Sequence, residues 1–194
     1  MDEKIKLLVS TFGDHRVKLD EPLTFHTLSQ LHTKAKAFFI ATNRQELTEI
    51  LEIAERLKIP FWVIGSGTKF NFSAAEIPGL VVKNRADLLK IGAVKGKVGQ
   101  SGIGVEEAAV EVDSGVSLGK LNEFLNTQNL QTIGSGSLPQ SSVGGLIWTD
   151  FAIQFFVQSV IVWKNGEVEE IEVRQLDKNS QVVLTVVLKM KAKV

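Results

Sequence analysis

Apolar residues recur at helical spacing in two places along this chain and form short strand-like runs through most of the remainder. Leu47, Ile50, Leu51, Ala54 and Leu57 stand three and four residues apart, the stripe of one amphipathic helix. Asn43 ahead of them is an N-cap residue, Glu46 three positions on completes a capping-box pattern, and Pro60 marks the stop. Ser117 heads a second helix whose buried face is Leu118, Leu121, Phe124 and Leu125. Ala37 to Ala41 is a short apolar strand, and Phe61-Trp62-Val63-Ile64 is an unbroken apolar run, the pattern of a strand buried on both faces. Strands are also expected at Gly79 to Val82, Leu88 to Val94, Ala108 to Val112, Val157 to Trp163, Val168 to Val173 and Gln181 to Met190. Between the runs at 157 and 168, Asn165-Gly166 is a two-residue hairpin signal. From Met1 to Gln30 there is little periodicity, and a lead-in packed on the body is expected there.

This order of elements predicts an α+β chain in two lobes, a small α/β lobe over residues 1–83 and a larger α+β lobe over 84–194. Composition narrows the field. Lys plus Arg equals Asp plus Glu at 22 each, so no basic stripe argues for nucleic acid. Cysteine is absent, which removes disulfides, thiolate metal sites and cysteine nucleophiles. The most apolar stretch, Leu146 to Trp163, is broken by Thr149, Asp150, Gln154, Gln158 and Ser159, whereas a membrane span wants about 20 apolar residues. No signal peptide is visible at Met1 to Ser10, and a cytoplasmic protein with no membrane contact is expected.

Candidate chemistry sits in two glycine loops. Gly65-Ser66-Gly67-Thr68-Lys69-Phe70 follows directly on the run ending at Ile64. A second loop runs from Gly134 through Ser135, Gly136, Ser137, Leu138, Pro139, Gln140, Ser141, Ser142 and Val143 to Gly144 and Gly145. Glycine-rich turns at strand ends present backbone N–H groups free of side chains, which suits a phosphate or diphosphate; a ligand-free tight turn is the alternative for the first and a mobile surface loop for the second. Leu138, Pro139 and Val143 speak for a loop folded against something. The P-loop pattern is absent, since Gly67-Thr68-Lys69 has the wrong order and spacing, and the dinucleotide G-x-G-x-x-G fails because Phe70 stands where its third glycine would be needed. His15, His26 and His32 lack metal-ligand spacing, so no metal site is expected, and no Ser-His-Asp arrangement is supported.

Taken in order, these motifs resemble the flavin-binding half of the UDP-N-acetylenolpyruvoylglucosamine reductase (UDP-N-acetylmuramate dehydrogenase) family. The resemblance is carried by Glu21-Pro22-Leu23-Thr24-Phe25-His26-Thr27, by Ile59-Pro60 leading into Gly65 to Thr68, by Ser137 to Gly145, and by the hairpin Val160 to Val168. It implies a two-subdomain FAD-binding fold of the vanillyl-alcohol-oxidase type, with FAD held noncovalently and its diphosphate against both loops. It further implies cofactor contacts from Ile64, Gly65, Ser66, Gly67, Thr68, Lys69 and Phe70, and from Ser137, Leu138, Pro139, Ser141, Ser142, Gly144, Gly145 and Ile147. NADPH would be the reductant, in the service of cell-wall peptidoglycan synthesis.

The chain also departs from that family's pattern. The C-terminal substrate domain, with its serine and glutamate, is expected to be absent. The tyrosine-arginine segment has no match, because the chain holds no tyrosine and Arg174 lies in an unrelated context. The segment Leu146 to Phe156 is bulky and apolar where asparagine and glycine are usual; core packing, stacking on the flavin ring, filling that ring's place and a partner surface are all open to it. No catalytic residue is assigned. Three functions follow as expectations: an FAD-binding flavoprotein without complete reductase activity of its own, a non-enzymatic scaffold that has lost FAD, or a reductase completed by a separate substrate-domain chain. Homo-oligomers are a further expected partner state.

Overall fold

The structure, a computed structural model, describes residues 3–30, 32–68, 72, 74–99 and 102–193. The expected lead-in holds regular structure instead: a helix, α1 (Glu3–Phe12), and a strand, β1 (Val17–Pro22). Ile5 and Leu8 are buried, with Val9 and Phe12 packed beside them. That stripe spans less than three turns among exposed lysines, too short to stand out by pattern.

β1 opens a four-stranded sheet in the order β1-β2-β4-β3, with β2 at Lys34–Ala41, β3 at Phe61–Ile64 and β4 at Glu76–Asn84. β1 runs antiparallel to β2, while β2 and β3 both lie parallel to β4. The run Phe61–Ile64 is therefore an edge strand, not one buried on both faces. Only Ile64 is fully buried; Phe61, Trp62 and Val63 are half-covered.

Between β2 and β3 runs α2 (Arg44–Arg56), capped as its sequence predicts, with the Asn43 side chain accepting from the Glu46 N–H at 2.9 Å. The reciprocal bond reaches one residue further back than a capping box requires. The Glu46 carboxylate accepts from Thr42 N and Oγ1 at 2.8 and 2.9 Å. Pro60 does not end the helix. Lys58 adopts a left-handed φ of 53°, and the Ile59 N–H closes on the Ala54 carbonyl at 2.8 Å, so the chain has already turned.

The remaining strands form an antiparallel sheet, ordered β5-β6-β9-β7-β8: β5 (Leu89–Gly99), β6 (Gly102–Asp113), β7 (Val157–Lys164), β8 (Glu167–Ile171) and β9 (Val182–Lys191). Asn165 and Gly166, at φ of 50° and 81°, make the β7–β8 turn. One face of this sheet is covered by α3 (Leu118–Thr127), whose first turn is capped by Ser117, and by the short helices α4 (Val143–Leu146) and α5 (Phe151–Gln154). The architecture is α+β.

The two sheets are joined by apolar packing. Trp163 of β7 and Leu184 of β9 belong to the same buried cluster as Leu47, Ile50 and Leu51 of α2 and Phe39 and Leu80 of the first sheet. Trp163 is 3% exposed, meets Phe61 edge-on at 5.8 Å, and its buried indole N–H finds no acceptor among the described residues. An unmet buried donor costs about 1–3 kcal/mol, which opposes the packing lost when the ring is reduced. Trp163→Phe is therefore expected to change stability by no more than about 1 kcal/mol, whereas Trp163→Ala costs about 3–5 kcal/mol. Urea unfolding midpoints of the two variants check this. Among the described residues, no helix is long and apolar enough to cross a membrane.

Candidate functional site

The first glycine turn leaves β3 and is held by its carbonyls. Gly65 O accepts from Lys83 Nζ at 2.5 Å, Ser66 O from the Leu28 N–H at 3.1 Å, and Gly67 O from Ser29 Oγ at 2.9 Å. Three successive carbonyls are thus satisfied from outside the turn. The amides of Gly65, Ser66, Gly67 and Thr68 have no protein acceptor among the described residues. Gly67 needs its identity: its φ is +69°, and a Cβ there would lie 2.7 Å from Thr27. Lys69 and Phe70, also expected as contacts, lie outside the described residues.

Across from this turn stands Ser142. It is 5% exposed, and neither its N–H nor its hydroxyl has a protein partner among the described residues. The backbone on either side is pinned, with Leu118 N–H bonding Ser141 O at 2.9 Å and Val143 N–H bonding Val116 O at 2.8 Å. The two turns touch. A Cβ built on Gly65 would fall 1.9 Å from Ser142 Oγ, so only glycine permits this approach.

Three connected hollows meet at that contact, each lined by both Gly65 and Ser142. The largest, about 520 Å³, runs along Phe61, Trp62 and Val63 past Gly144, Gly145 and Trp148 towards Asn179 and Gln181. A second, about 210 Å³, is lined by residues 63–68 on one side and by Ser141, Ser142 and Trp148 on the other. The third, about 320 Å³, is edged by Lys83, Arg85, Asp87 and Lys120. Lys120 and Asp87 are paired at 2.6 Å, which leaves Lys83 and Arg85 as its uncompensated charges among the described residues. The first and third have the volumes of ligand clefts.

The remaining expected contacts are spread more widely. Ile64 ends β3 inside the first lobe, and Ser141, Gly144 and Gly145 line the hollows with Ser142. Ser137 sits behind them, donating to Asp150 at 2.8 Å. Leu138 is 57% exposed and Pro139 is also at the surface, while Ile147 is buried in the second sheet's core. Within the apolar segment, Trp148 faces the hollows and Phe156 packs on the core, but Phe151 and Phe155 are 77% and 87% exposed. Phe155 therefore does not fill the crevice, whereas Trp148 forms part of its wall.

Lys83 and Ser114 are the residues that pattern reading missed. Ser114 is a buried hub. It accepts from Asn84 Nδ2 at 2.7 Å, donates to Val183 O at 2.6 Å, and gives its carbonyl to the Gly144 N–H at 2.8 Å. His26 is accounted for structurally, bonded to Glu21 at 2.8 Å and lying 4.2 Å from Phe38. Among the described residues, no cluster of three or more His, Asp or Glu could hold a metal.

This geometry suits a diphosphate. A diphosphate wants several donors on one surface without intervening side chains. The first turn offers four consecutive amides unpaired among the described residues, and the second adds the Ser142 amide and hydroxyl. Comparison with known proteins points the same way. The chain is 24% identical over 181 residues to UDP-N-acetylenolpyruvoylglucosamine reductase 2 of Symbiobacterium thermophilum, covering 88% of this chain and 53% of that protein. It is 21% identical over 201 residues to the corresponding reductase of Clostridium tetani, covering 96% of this chain and 61% of that one. The chain thus spans between half and two thirds of the length of these relatives.

Among solved structures, wild-type Phl p 4.0202, a glucose dehydrogenase, superposes with a TM-score of 0.70 at 14% identity, over 98% of this chain and 44% of that one. At that identity the match speaks for fold alone, the two-lobed vanillyl-alcohol-oxidase type. FAD is the cofactor these relationships assign. The family model described as "FAD binding domain" matches residues 35–152, more than half of the chain and both glycine turns, and the chain belongs to that family.

Proposed function

We propose that this chain binds FAD noncovalently in the crevice between its two lobes, residues 1–83 and 84–194, and serves as the flavin half of a reductase. The observation that carries this reading is the first turn itself: carbonyls of Gly65, Ser66 and Gly67 bonded inward, and four amides left for a ligand opposite Ser142. The amides of residues 65–68 would hold the diphosphate with the Ser142 hydroxyl, and Lys69 and Phe70 would extend that contact. Gly144 and Gly145 would line the cofactor's path along the second turn, with Ser137, Leu138, Pro139, Ser141 and Ile147 shaping and backing that turn. Bound FAD supplies hydride acceptance and donation; the residues of this chain bind and orient it and keep water from it.

By analogy with the reductases it resembles, NADPH is the proposed electron donor, a UDP-sugar enolpyruvyl ether the acceptor, and the cytoplasm the location. We propose that the chain alone does not complete that reaction. Arg174, the nearest arginine to the family's catalytic position, is exposed and paired with Glu172 at 2.6 Å on a 3-10 turn. A separate chain, or a second copy, would then supply what this one does not. The exposed Phe151 and Phe155 are the observation that favours such a partner.

The purified protein, as isolated or after incubation with FAD, is expected to show flavin absorbance bands and to oxidise NADPH only slowly. Addition of UDP-N-acetylenolpyruvoylglucosamine should not accelerate that oxidation. A colourless protein that cannot be reconstituted would leave the scaffold reading standing, and substrate-stimulated turnover would show the chain to be self-sufficient.

A further inference from the structure

Lys83 lies beside Ile64 in the parallel ladder of β3 and β4, at the point where β3 gives way to the glycine turn. Its ammonium donates to two carbonyls, Gly65 O at 2.5 Å and His26 O at 2.7 Å. Those carbonyls belong to the turn and to the segment that braces it through Leu28 and Ser29. An ammonium has three donors. The third has no protein acceptor among the described residues, and Lys83 lines the hollow that also holds Gly65, Ser66 and Ser142. No carboxylate lies within ion-pairing distance of it among the described residues.

Such an arrangement is costly without a purpose, because a half-buried cation facing only carbonyl dipoles loses hydration and gains no counter-charge. We propose that Lys83 is a positioning residue for the cofactor's diphosphate: it fixes the turn with its amides facing outward and supplies the positive charge that the bound anion neutralises. This rests on the reading that the diphosphate lies against residues 65–68.

Burial, with the charge of Arg85 adding to it, pushes the Lys83 ammonium down to about 8. Among the described residues the charged groups around it are few. Arg85 comes just after the end of β4, Lys120 of α3 is occupied by Asp87, and on the bracing segment the His26 ring is occupied by Glu21. Tyrosine, which would titrate in the same range, is absent from the chain. With a depressed folded pKa, the apoprotein carries the cost of the charged lysine in full below about pH 8 and gains stability as pH rises from there towards 10.5. A bound diphosphate raises the pKa again, so FAD binding takes up a proton and weakens as Lys83 deprotonates.

The test is FAD affinity, followed by flavin fluorescence from pH 7 to 10, for the full chain and for Lys83→Met and Lys83→Arg. Wild-type Kd is expected to rise above pH 8, by up to about tenfold per pH unit, and to level off about 30-fold above its pH 7 value as pH nears 10. Lys83→Met should lose about 30-fold at pH 7 and show no such slope. Lys83→Arg should stay within about tenfold of wild type at pH 7 and be flat to pH 10, because a guanidinium does not titrate there. Riboflavin, which has no phosphate, should bind wild type and Lys83→Met alike. Should Lys83→Met not fold, calorimetry of wild type in buffers of different ionisation enthalpy decides, with uptake of about half to one proton per FAD at pH 8.5 expected. FAD binding that is pH-independent with no proton uptake, or undiminished in Lys83→Met, overturns the inference while leaving the FAD site intact. Failure of wild type to bind FAD or ADP at any pH removes the site itself.

Discussion

Gly65→Ala is expected to lower FAD affinity by at least about 100-fold, or about 2.7 kcal/mol, while leaving a folded apoprotein. The added methyl would stand 1.9 Å from Ser142 Oγ and 2.7 Å from Ser142 Cβ. Rotating the serine can relieve the first contact but not the second, and Ser142 cannot retreat because its neighbours Ser141 and Val143 are bonded to Leu118 and Val116. The turns must therefore part, and the parting falls on the surface where both offer free donors. This makes a double-mutant test possible. Ser142→Gly removes the obstacle together with one hydroxyl, and alone should cost about tenfold. In Gly65→Ala/Ser142→Gly the clash is gone, so affinity should return to within about tenfold of Ser142→Gly. Losses that simply add would show that the two turns do not act on the ligand together. Titration of each apoprotein with FAD, with thermal melts as the folding control, gives the four numbers.

What the sequence reveals here divides along the line between local and non-local chemistry. Asn43 and Ser117 as caps and Asn165-Gly166 as a hairpin turn are local signals, and each forms the expected element. The two glycine turns are legible for the same reason, since an unusual backbone needs unusual residues. Phe61–Ile64 was legible as a strand but not as an edge. Its cover comes partly from Trp163, a hundred residues on, and no periodicity within four residues can tell a second strand from a ring. Lys83 carries no local signature. It matters because β4 lies parallel to β3 and sets it beside Ile64, where its side chain reaches Gly65 and His26 together. Leu138 errs in the opposite direction: an apolar residue in a glycine-serine loop suggested a buried anchor, yet it is exposed and Val143 is the residue that goes inside.

Gly144→Ala is expected to act on the fold before any ligand arrives, destabilising the apoprotein by about 3 kcal/mol. A Cβ at 144 would meet Ser114 Cβ at 2.7 Å and Ser114 O at 2.9 Å. Ser114 cannot yield, because its N–H is bonded to Leu184 O at 2.9 Å while its hydroxyl links Asn84 of β4 to Val183 of β9. One methyl group would thus strain the point at which the end of the first sheet, two strands of the second and α4 converge. For a chain of this length, that corresponds to a fall in Tm of about 6–12 °C. Gly134 provides the control from the same loop: nothing lies within 4 Å of a Cβ there, and its φ lies outside the left-handed range. Gly134→Ala should therefore stay within about 0.5 kcal/mol of wild type. Denaturant midpoints of the two apoproteins compare them directly. If Gly144→Ala proved as stable as Gly134→Ala, the close approach of α4 to Ser114 would not be what holds the second turn in place, and the rigidity attributed to Ser142 would have to come from elsewhere.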